Sequence, residues 1–365
     1  MDRLSLLVPL VVSFAIAAIM TPLVARGAVA LGIVDRPTDR SVSRRNNMPL
    51  LGGLAVAGGL AAGVLAGVVL TEDLFYTQRL GGLLLGGLLV VALGVLDDRR
   101  GLGAVPKLLV QAVAASIAIA SGFRVEHLTD PITSTSFSFP LWISWIGTTV
   151  WIVGITNAVN LVDGLDGLAA GVGAIIGGTL TAIAWQADSP IGVCVGLALL
   201  GSLLGFLPFN FAPARIFLGD TGALFIGYVL SLLALEGTRR LALLTFVVPL
   251  LAFAVPILDT GLSILRRISR GSSPFRADRQ HMHHRLLAER GSERGAVLQF
   301  YFVTACFCLI SLSFTRIRGV VAALFLAVVI VLTLRLLWNL GALSLSRGDE
   351  RTGGELVIAP KEDER

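Results

Sequence analysis

The chain has 365 residues, 55% of them hydrophobic and 15% charged, with a formal net charge of +5. A mean hydropathy of +0.83 excludes an ordinary soluble domain, and 41 glycines suit helices packed closely inside a bilayer. The positive balance does not point to nucleic acid, because Arg gathers in short stretches beside apolar runs, the distribution that orients membrane spans.

The first apolar run extends from Leu4 to about Ala25. It is too long for a cleaved leader, and Thr21-Pro22 stands where a small-residue cleavage site would be, so a retained span is expected. Further runs of span length follow at about 51–70, 80–96, 107–122, 141–157, 168–186, 190–207, 221–236, 241–262, 297–314 and 319–340, about eleven in all. Cys194, Cys306 and Cys308 lie inside such runs and read as small buried hydrophobes, with neither a disulfide framework nor a metal quartet. Thr129 to Phe139 alternates Thr and Ser with apolar residues, the pattern of a short external hairpin. The expected fold is all-α, a polytopic membrane domain over residues 1–343 followed by a charged, disordered tail over 344–365. No internal repeat is evident, which counts against many transporter architectures.

Orientation follows from the loops. Arg26, Arg36, Arg40, Arg44 and Arg45 occupy the first connection, and Arg99, Arg100 and Lys107 the third. Eight arginines between Arg266 and Arg294 crowd the ninth, whereas the even connections carry few. The odd connections are therefore expected in the cytoplasm, with the N-terminus outside and the C-terminus inside.

Every polar constellation falls on those odd connections. The first holds Asp35-Arg36-Pro37 and ends at Pro49-Leu50-Leu51-Gly52-Gly53; the third holds Asp97-Asp98, Lys107 and Gln111. The fifth is Asn157-x2-Asn160-Leu161-x-Asp163-Gly164-Leu165-Asp166-Gly167. It resembles part of a calcium loop, but the carboxylate spacing is wrong and no terminal Glu follows. A capping turn explains one of its carboxylates easily, though not both together with two Asn. The seventh runs from Asn210 through Phe217 to Gly219-Asp220-x-Gly222, where Asp220 is either a ligand-facing acid or another helix cap.

The ninth connection contains Arg279 and His281-Met282-His283-His284. Zinc lacks further Cys or His to close a tetrahedral site, and the surrounding Arg suit contacts to phosphate oxygens better. Adjacent Asp97 and Asp98 repel one another unless a metal ion or Lys107 stands near; solvated loop acids beside Arg99 and Arg100 are the competing reading. Carboxylates, His, Arg and one Lys gathered at a membrane surface describe a magnesium–phosphate site, since magnesium takes one or two carboxylates and shares substrate oxygens. Among spans, one of the phosphates is expected to belong to a lipid.

With these motifs in hand, the chain resembles the polyprenyl-phosphate N-acetylhexosamine-1-phosphate transferases. The resemblance rests on Asp97-Asp98-x3-Leu102-x4-Lys107-Leu108-x2-Gln111, the Asn157–Leu168 block, Phe217-x-Gly219-Asp220-x-Gly222 and His281-x-His283-His284, and covers roughly residues 20–310. It departs at Ser43, where relatives usually carry His, and at Ala223, where Ser is common. The resemblance implies ten or eleven spans and a cytoplasmic active site in the bacterial plasma (inner) membrane. It implies Asp220 as direct magnesium ligand, with Asp163 in the metal shell and manganese able to substitute. By the same resemblance Asp97 and Asp98 would position or deprotonate the lipid phosphate, and Lys107 would hold phosphate charge. Asp163 and Asp166, with Asn157, Asn160 and Asn210, would bind the nucleotide and metal shell. Phe217 would stack on uracil, while Arg279, His281, His283 and His284 would contact the diphosphate.

The implied partners are a UDP-N-acetylhexosamine, undecaprenyl phosphate and the membrane, with room for a homodimer and no nucleic acid. The implied reaction is attack of the lipid phosphate on the β-phosphate of UDP-N-acetylglucosamine, releasing UMP and starting a cell-envelope polysaccharide such as O-antigen, lipopolysaccharide or teichoic acid. The alternatives are a phospho-N-acetylmuramoyl-pentapeptide transferase and a transporter of phosphorylated lipid or sugar. The interrupted His cluster, and the lack of a long insertion that could receive a peptide, favour the first reading.

Overall fold

In lipid an unpaired backbone amide has no partner, so the apolar runs fold as helices and end where the sequence supplies a cap or a turn. In the computed structural model, which describes residues 7–35, 47–70, 78–129, 135–238, 247–269, 292–315 and 319–339, this gives twelve helices. In chain order these are α1 (Leu7–Ala30), α2 (Gly52–Leu70), α3 (Gln78–Arg100) and α4 (Ala104–Ala120). Next come α5 (Leu141–Val162), α6 (Leu168–Gln186), α7 (Pro190–Asn210) and α8 (Gly219–Thr238). The last four are α9 (Val247–Ala252), α10 (Ala254–Ser269), α11 (Glu293–Phe314) and α12 (Gly319–Asn339). Ser189 illustrates the caps: its hydroxyl accepts from the Gly192 amide at 3.2 Å, and Pro190 stands at the start of α7 where no amide partner is needed.

Eight of the helices are long and apolar enough to cross a bilayer, so the protein is a polytopic membrane protein. The expected fourth span is present as α4 but has only 17 residues. The described part of the expected ninth span, 241–262, is two helices, α9 and α10, parted at Phe253. The cause is Pro256, which has no amide to donate and whose ring crowds the carbonyl four residues earlier, at Ala252. The Cys308 thiol of α11 lies 3.9 Å from that carbonyl, and the Ser311 hydroxyl donates to Val248 at 2.7 Å.

The expected hairpin is found. Strands β3 (His127–Thr129) and β4 (Ser136–Ser138) pair antiparallel, His127 opposite Ser138. Thr148 of α5 accepts from the Val125 amide at 3.0 Å, and Ser144 donates to the Val125 carbonyl, fixing the hairpin base. A second ribbon was not expected: β1 (Val34–Asp35) pairs with β2 (Met48–Pro49) across the first connection. Residues 344–365 lie outside the described residues.

Helix α8 is central. It packs against α2, α3, α5 and α6, and 83% of its span is buried, against 22% for the peripheral α1. Its buried aromatic and polar atoms are satisfied across helices. The Tyr228 hydroxyl donates to the Gly82 carbonyl at 3.2 Å, and the Trp151 indole donates to Ser231 at 3.1 Å. Near the C-terminal end of α8, Glu236 receives the Arg79 guanidinium at 3.1 Å and the Ser189 hydroxyl at 2.8 Å. Since lipid tails provide no hydrophobic drive between helices, contacts of this kind and close packing hold the bundle.

Candidate active site

The described parts of the first, third, fifth and seventh connections meet at the end of the bundle where α8 begins. A helix start leaves amides without intrahelical partners, and here the third connection satisfies them. Asp98 Oδ1 accepts from the Asp220 amide at 2.8 Å, while Oδ2 accepts from the Thr221 amide at 3.1 Å and its hydroxyl at 2.6 Å. Gly219 makes this approach feasible: its φ is +72°, and a Cβ there would stand 2.5 Å from Asp98 Oδ2. Asp98 therefore caps α8 from a different helix.

Its neighbour Asp97 is buried and points elsewhere. Lys107, near the start of α4, donates to Asp97 Oδ2 and, at 2.9 Å, to Asp220 Oδ2. Asp97 Oδ1 accepts from the Leu102 amide at 2.6 Å, shaping the turn into α4. Asp220 Oδ1 accepts from the Asn160 amide group at 2.7 Å. Thus α3, α4, α5 and α8 each contribute a side chain to one polar knot. Asn157, one turn before Asn160, is engaged with Gln111 of α4, donating to its oxygen at 2.5 Å. It also donates to the Val153 carbonyl at 2.7 Å, so it braces α5 against α4 beneath the knot.

Asp163 differs from these. It follows the last residue of α5, and among the described residues its carboxylate has no hydrogen-bond or ion-pair partner. The residue is half-buried, and burial together with the Asp220, Asp98 and Asp166 carboxylates holds its carboxyl well above the usual carboxylate range. An acid set among other acids fits a cation. Among the described residues no three His, Cys, Asp or Glu side chains form an all-protein cage. Magnesium does not need one, as it binds through one or two carboxylates and completes its shell with water and substrate oxygens.

The remaining expected residues hold loops. Asp166 Oδ2 accepts from the Ala214 amide at 2.8 Å, joining the fifth connection to the seventh. Asn210 is 3% exposed and donates to the Ile216 carbonyl at 3.0 Å, so it braces the seventh connection from within. Phe217 is half-buried, and its backbone pairs with the first connection: its amide donates to Pro49 at 2.9 Å and its carbonyl accepts from Gly52 at 3.0 Å. Arg279, His281, His283, His284 and Ser43 lie outside the described residues. Ala223 is fully buried in α8.

Other residues take part that the sequence did not single out for a role. Thr221 fills the open position of Gly219-Asp220-x-Gly222, and its hydroxyl is one of the three donors to Asp98. Glu293, Arg294 and Tyr301 of α11 all reach into the site loops. The sequence offers no signal that sets Glu293 apart, since Asp278 and Glu289 stand in the same arginine-rich stretch.

The chain is similar to known proteins over most of its length. Residues 80–238 match the family described as Glycosyl transferase family 4. A protein of Bacillus subtilis (strain 168), named as a probable undecaprenyl-phosphate N-acetylglucosaminyl 1-phosphate transferase, is 39% identical over 82% of this chain and 82% of its own. The decaprenyl-phosphate N-acetylglucosaminephosphotransferase of Mycolicibacterium smegmatis is 36% identical over 75% of this chain and 73% of its own. A phospho-N-acetylmuramoyl-pentapeptide-transferase of Shouchella clausii is 30% identical over 85% and 97%. With its helical bundle, its polar knot and this extent of likeness, the chain belongs to glycosyl transferase family 4 and is a membrane phosphoglycosyltransferase, one that transfers a sugar 1-phosphate.

Proposed function

We propose that the enzyme transfers N-acetylglucosamine 1-phosphate from UDP-N-acetylglucosamine to undecaprenyl or another polyprenyl phosphate, on the cytoplasmic face of the bacterial plasma membrane. The observation that carries this is the knot itself: Lys107 bound to Asp97 and Asp220, beside Asp163, which has no partner among the described residues. Relatives named for N-acetylglucosamine transfer to undecaprenyl or decaprenyl phosphate support the choice of substrates. Arginine-rich odd connections support the cytoplasmic side.

In the proposed reaction an oxygen of the lipid phosphate forms a bond to the β-phosphorus of the nucleotide sugar. The bond from that phosphorus to the bridging oxygen breaks, and the electron pair leaves on UMP. A phosphate monoester has its second pKa near 6, so at pH 7 the nucleophile is largely dianionic already and a general base adds little. Direct displacement is therefore favoured over a phosphorylated Asp97 or Asp98. Lys107 is suited to hold phosphate charge in place, while Asp97 fixes the Lys107 ammonium. Phe217 offers an aromatic face for uracil, Asn160 fixes the Asp220 carboxylate, and Arg279, His281, His283 and His284 would contact the diphosphate. Magnesium, held by Asp220 and Asp163 when bound, would neutralise charge on the transferring and leaving phosphates.

The test is a competition. Purified protein receives UDP-N-acetylglucosamine, UDP-N-acetylmuramoyl-pentapeptide, magnesium and undecaprenyl phosphate, and the lipid products are separated by mass. The expected product carries N-acetylhexosamine, and Asp220→Asn lowers its formation by at least about 100-fold, as loss of a charge clamp on phosphate does. A pentapeptide-bearing major product overturns the choice of sugar; no lipid product with either nucleotide, and translocation instead, overturns the reaction.

A further inference from the structure

Helix α11 begins two residues after the stretch 270–291, which contains the His cluster, and its first turns grip both site loops. Glu293 Oε1 accepts from the Asp166 amide at 3.0 Å. Arg294 Nε donates to the Ala212 carbonyl at 2.7 Å. Two turns further on, the Tyr301 hydroxyl donates to the Gly167 carbonyl at 2.6 Å, and its ring stands 6.5 Å from that of Phe211. Gly171 of α6 accommodates that ring, since a Cβ there would collide with it. The Asp166–Ala214 bond closes the circuit between the two loops.

A helix-terminal Glu needs no partner beyond its own helix, where it is favoured by the dipole. Glu293 instead directs its carboxylate to an amide 127 residues away, next to Arg294, whose guanidinium reaches the other loop. These two loops carry, respectively, Asp163 and the approach to Phe217 and Asp220. The pair thus fixes the spacing between the loop that bears Asp163 and the loop that bears the half-buried Phe217 ring.

We propose that Glu293 and Arg294 are positioning residues that set the nucleotide half of the site by latching its two loops to α11. This rests on the reading of Phe217 and Asp163 as nucleotide-side groups. Neither residue touches substrate in this account. The lipid-phosphate half, built on α3 and α4 through Asp97 and Lys107, lies outside the latch.

The experiment uses the purified full chain in detergent, with UMP binding and two-substrate kinetics measured for Glu293→Ala, Glu293→Gln and Arg294→Ala. Charge-assisted hydrogen bonds to backbone groups of this kind set affinities on the order of 10-fold or more. Glu293→Ala and Arg294→Ala are expected to raise the UMP Kd and the KM for the nucleotide sugar by about 10-fold, with the KM for undecaprenyl phosphate within about 2-fold. Glu293→Gln, which keeps an acceptor oxygen, is expected to recover most of that loss. Unchanged UMP binding in Glu293→Ala overturns the latch, as does an equal rise in both KM values or a failure of Gln to rescue. If the unaltered protein neither binds UMP nor transfers the sugar phosphate, the functional reading falls, and the latch with it.

Discussion

The carboxylate of Asp98 is the most heavily committed in the site, and replacing it with Asn tests what it is for. Asn keeps one acceptor oxygen and puts an NH2 donor where the other stood. With its oxygen in the Oδ2 position, the introduced amide could still serve both Thr221 donors, but the Asp220 amide, 2.8 Å from Oδ1, would face another donor. In the other orientation Thr221 loses its acceptor, although its hydroxyl can turn. A partly buried amide left without a partner costs about 1–3 kcal/mol, and removing a negative charge from the helix start costs about 0.3–1 kcal/mol more. Asp98→Asn should therefore destabilise the protein by about 1.5–4 kcal/mol, seen as a fall of several degrees in the thermal midpoint in detergent. Thr221→Val removes only the hydroxyl donor and should cost less. In the double variant the two effects should fail to add by about 0.5–3 kcal/mol, because the partners share a network. Transfer should fall in Asp98→Asn through displacement of Asp220, with the shape of the pH–rate profile retained. An unchanged midpoint, combined with abolished transfer and a missing limb of that profile, would show that Asp98 acts on substrate and refute the capping argument.

The other predictions concern different links. Asp163 has a folded-state pKa well above its unfolded value, so its contribution to stability is present below about pH 4 and is lost as pH rises through the folded pKa. Asp163→Asn should hence raise the thermal midpoint of metal-free protein at neutral pH while reducing the further rise that magnesium gives; a lower midpoint in the absence of metal counts against the crowding of acids. Glu236→Ala removes the acceptor of both Arg79 and Ser189 at the far end of α8 and should cost about 2–4 kcal/mol. Its KM values should stay at parental levels, and a selective rise in either would connect that end to the site. For orientation, single cysteines at Arg215 and Phe137, in a Cys306→Ser background, should react with an impermeant maleimide from opposite sides, Arg215→Cys only from the cytoplasm. Labelling of Arg215→Cys in intact cells overturns the proposed topology.

Composition and periodicity were enough to read the helical bundle, the hairpin after α4 and, among the described residues, the meeting of the third, fifth and seventh connections at one end. These features depend on local hydropathy, turn residues and the requirement that each span returns the chain to the other side. The break between α9 and α10 was written in Pro256, but hydropathy alone runs through it unbroken. Within the site, Asp97, Asp98, Asp163 and Asp166 looked alike as acids beside spans. What separates them is partner choice, and the partners lie 10 residues away for Asp97 with Lys107 and 122 away for Asp98 with the Asp220 amide. Nothing in one dimension distinguishes a carboxylate that caps a distant helix from one that faces substrate. Gln111 and Asn157 were likewise both noticed, though not as each other's partner. Glu293 and Tyr301 carried no signal, and Arg294 counted only as one of the orienting arginines, because single polar residues at the entrance to a span usually contact only headgroups and water.

Three separate contacts join α3 to α8 along their length. Arg79 meets Glu236 near one end, Gly82 meets Tyr228 inside the bundle, and Asp98 holds the first amides of α8 at the other. Two antiparallel helices pinned at both ends cannot slide past each other by a turn, because each pin fixes the same register. They form a strut, and Asp97 and Asp220 ride on its one tip at a fixed separation. Any adjustment to a bulky nucleotide sugar or a long lipid must then be taken up outside this strut. The enzyme is thus built around a fixed anvil, on which the proposed transfer of phosphate would take place.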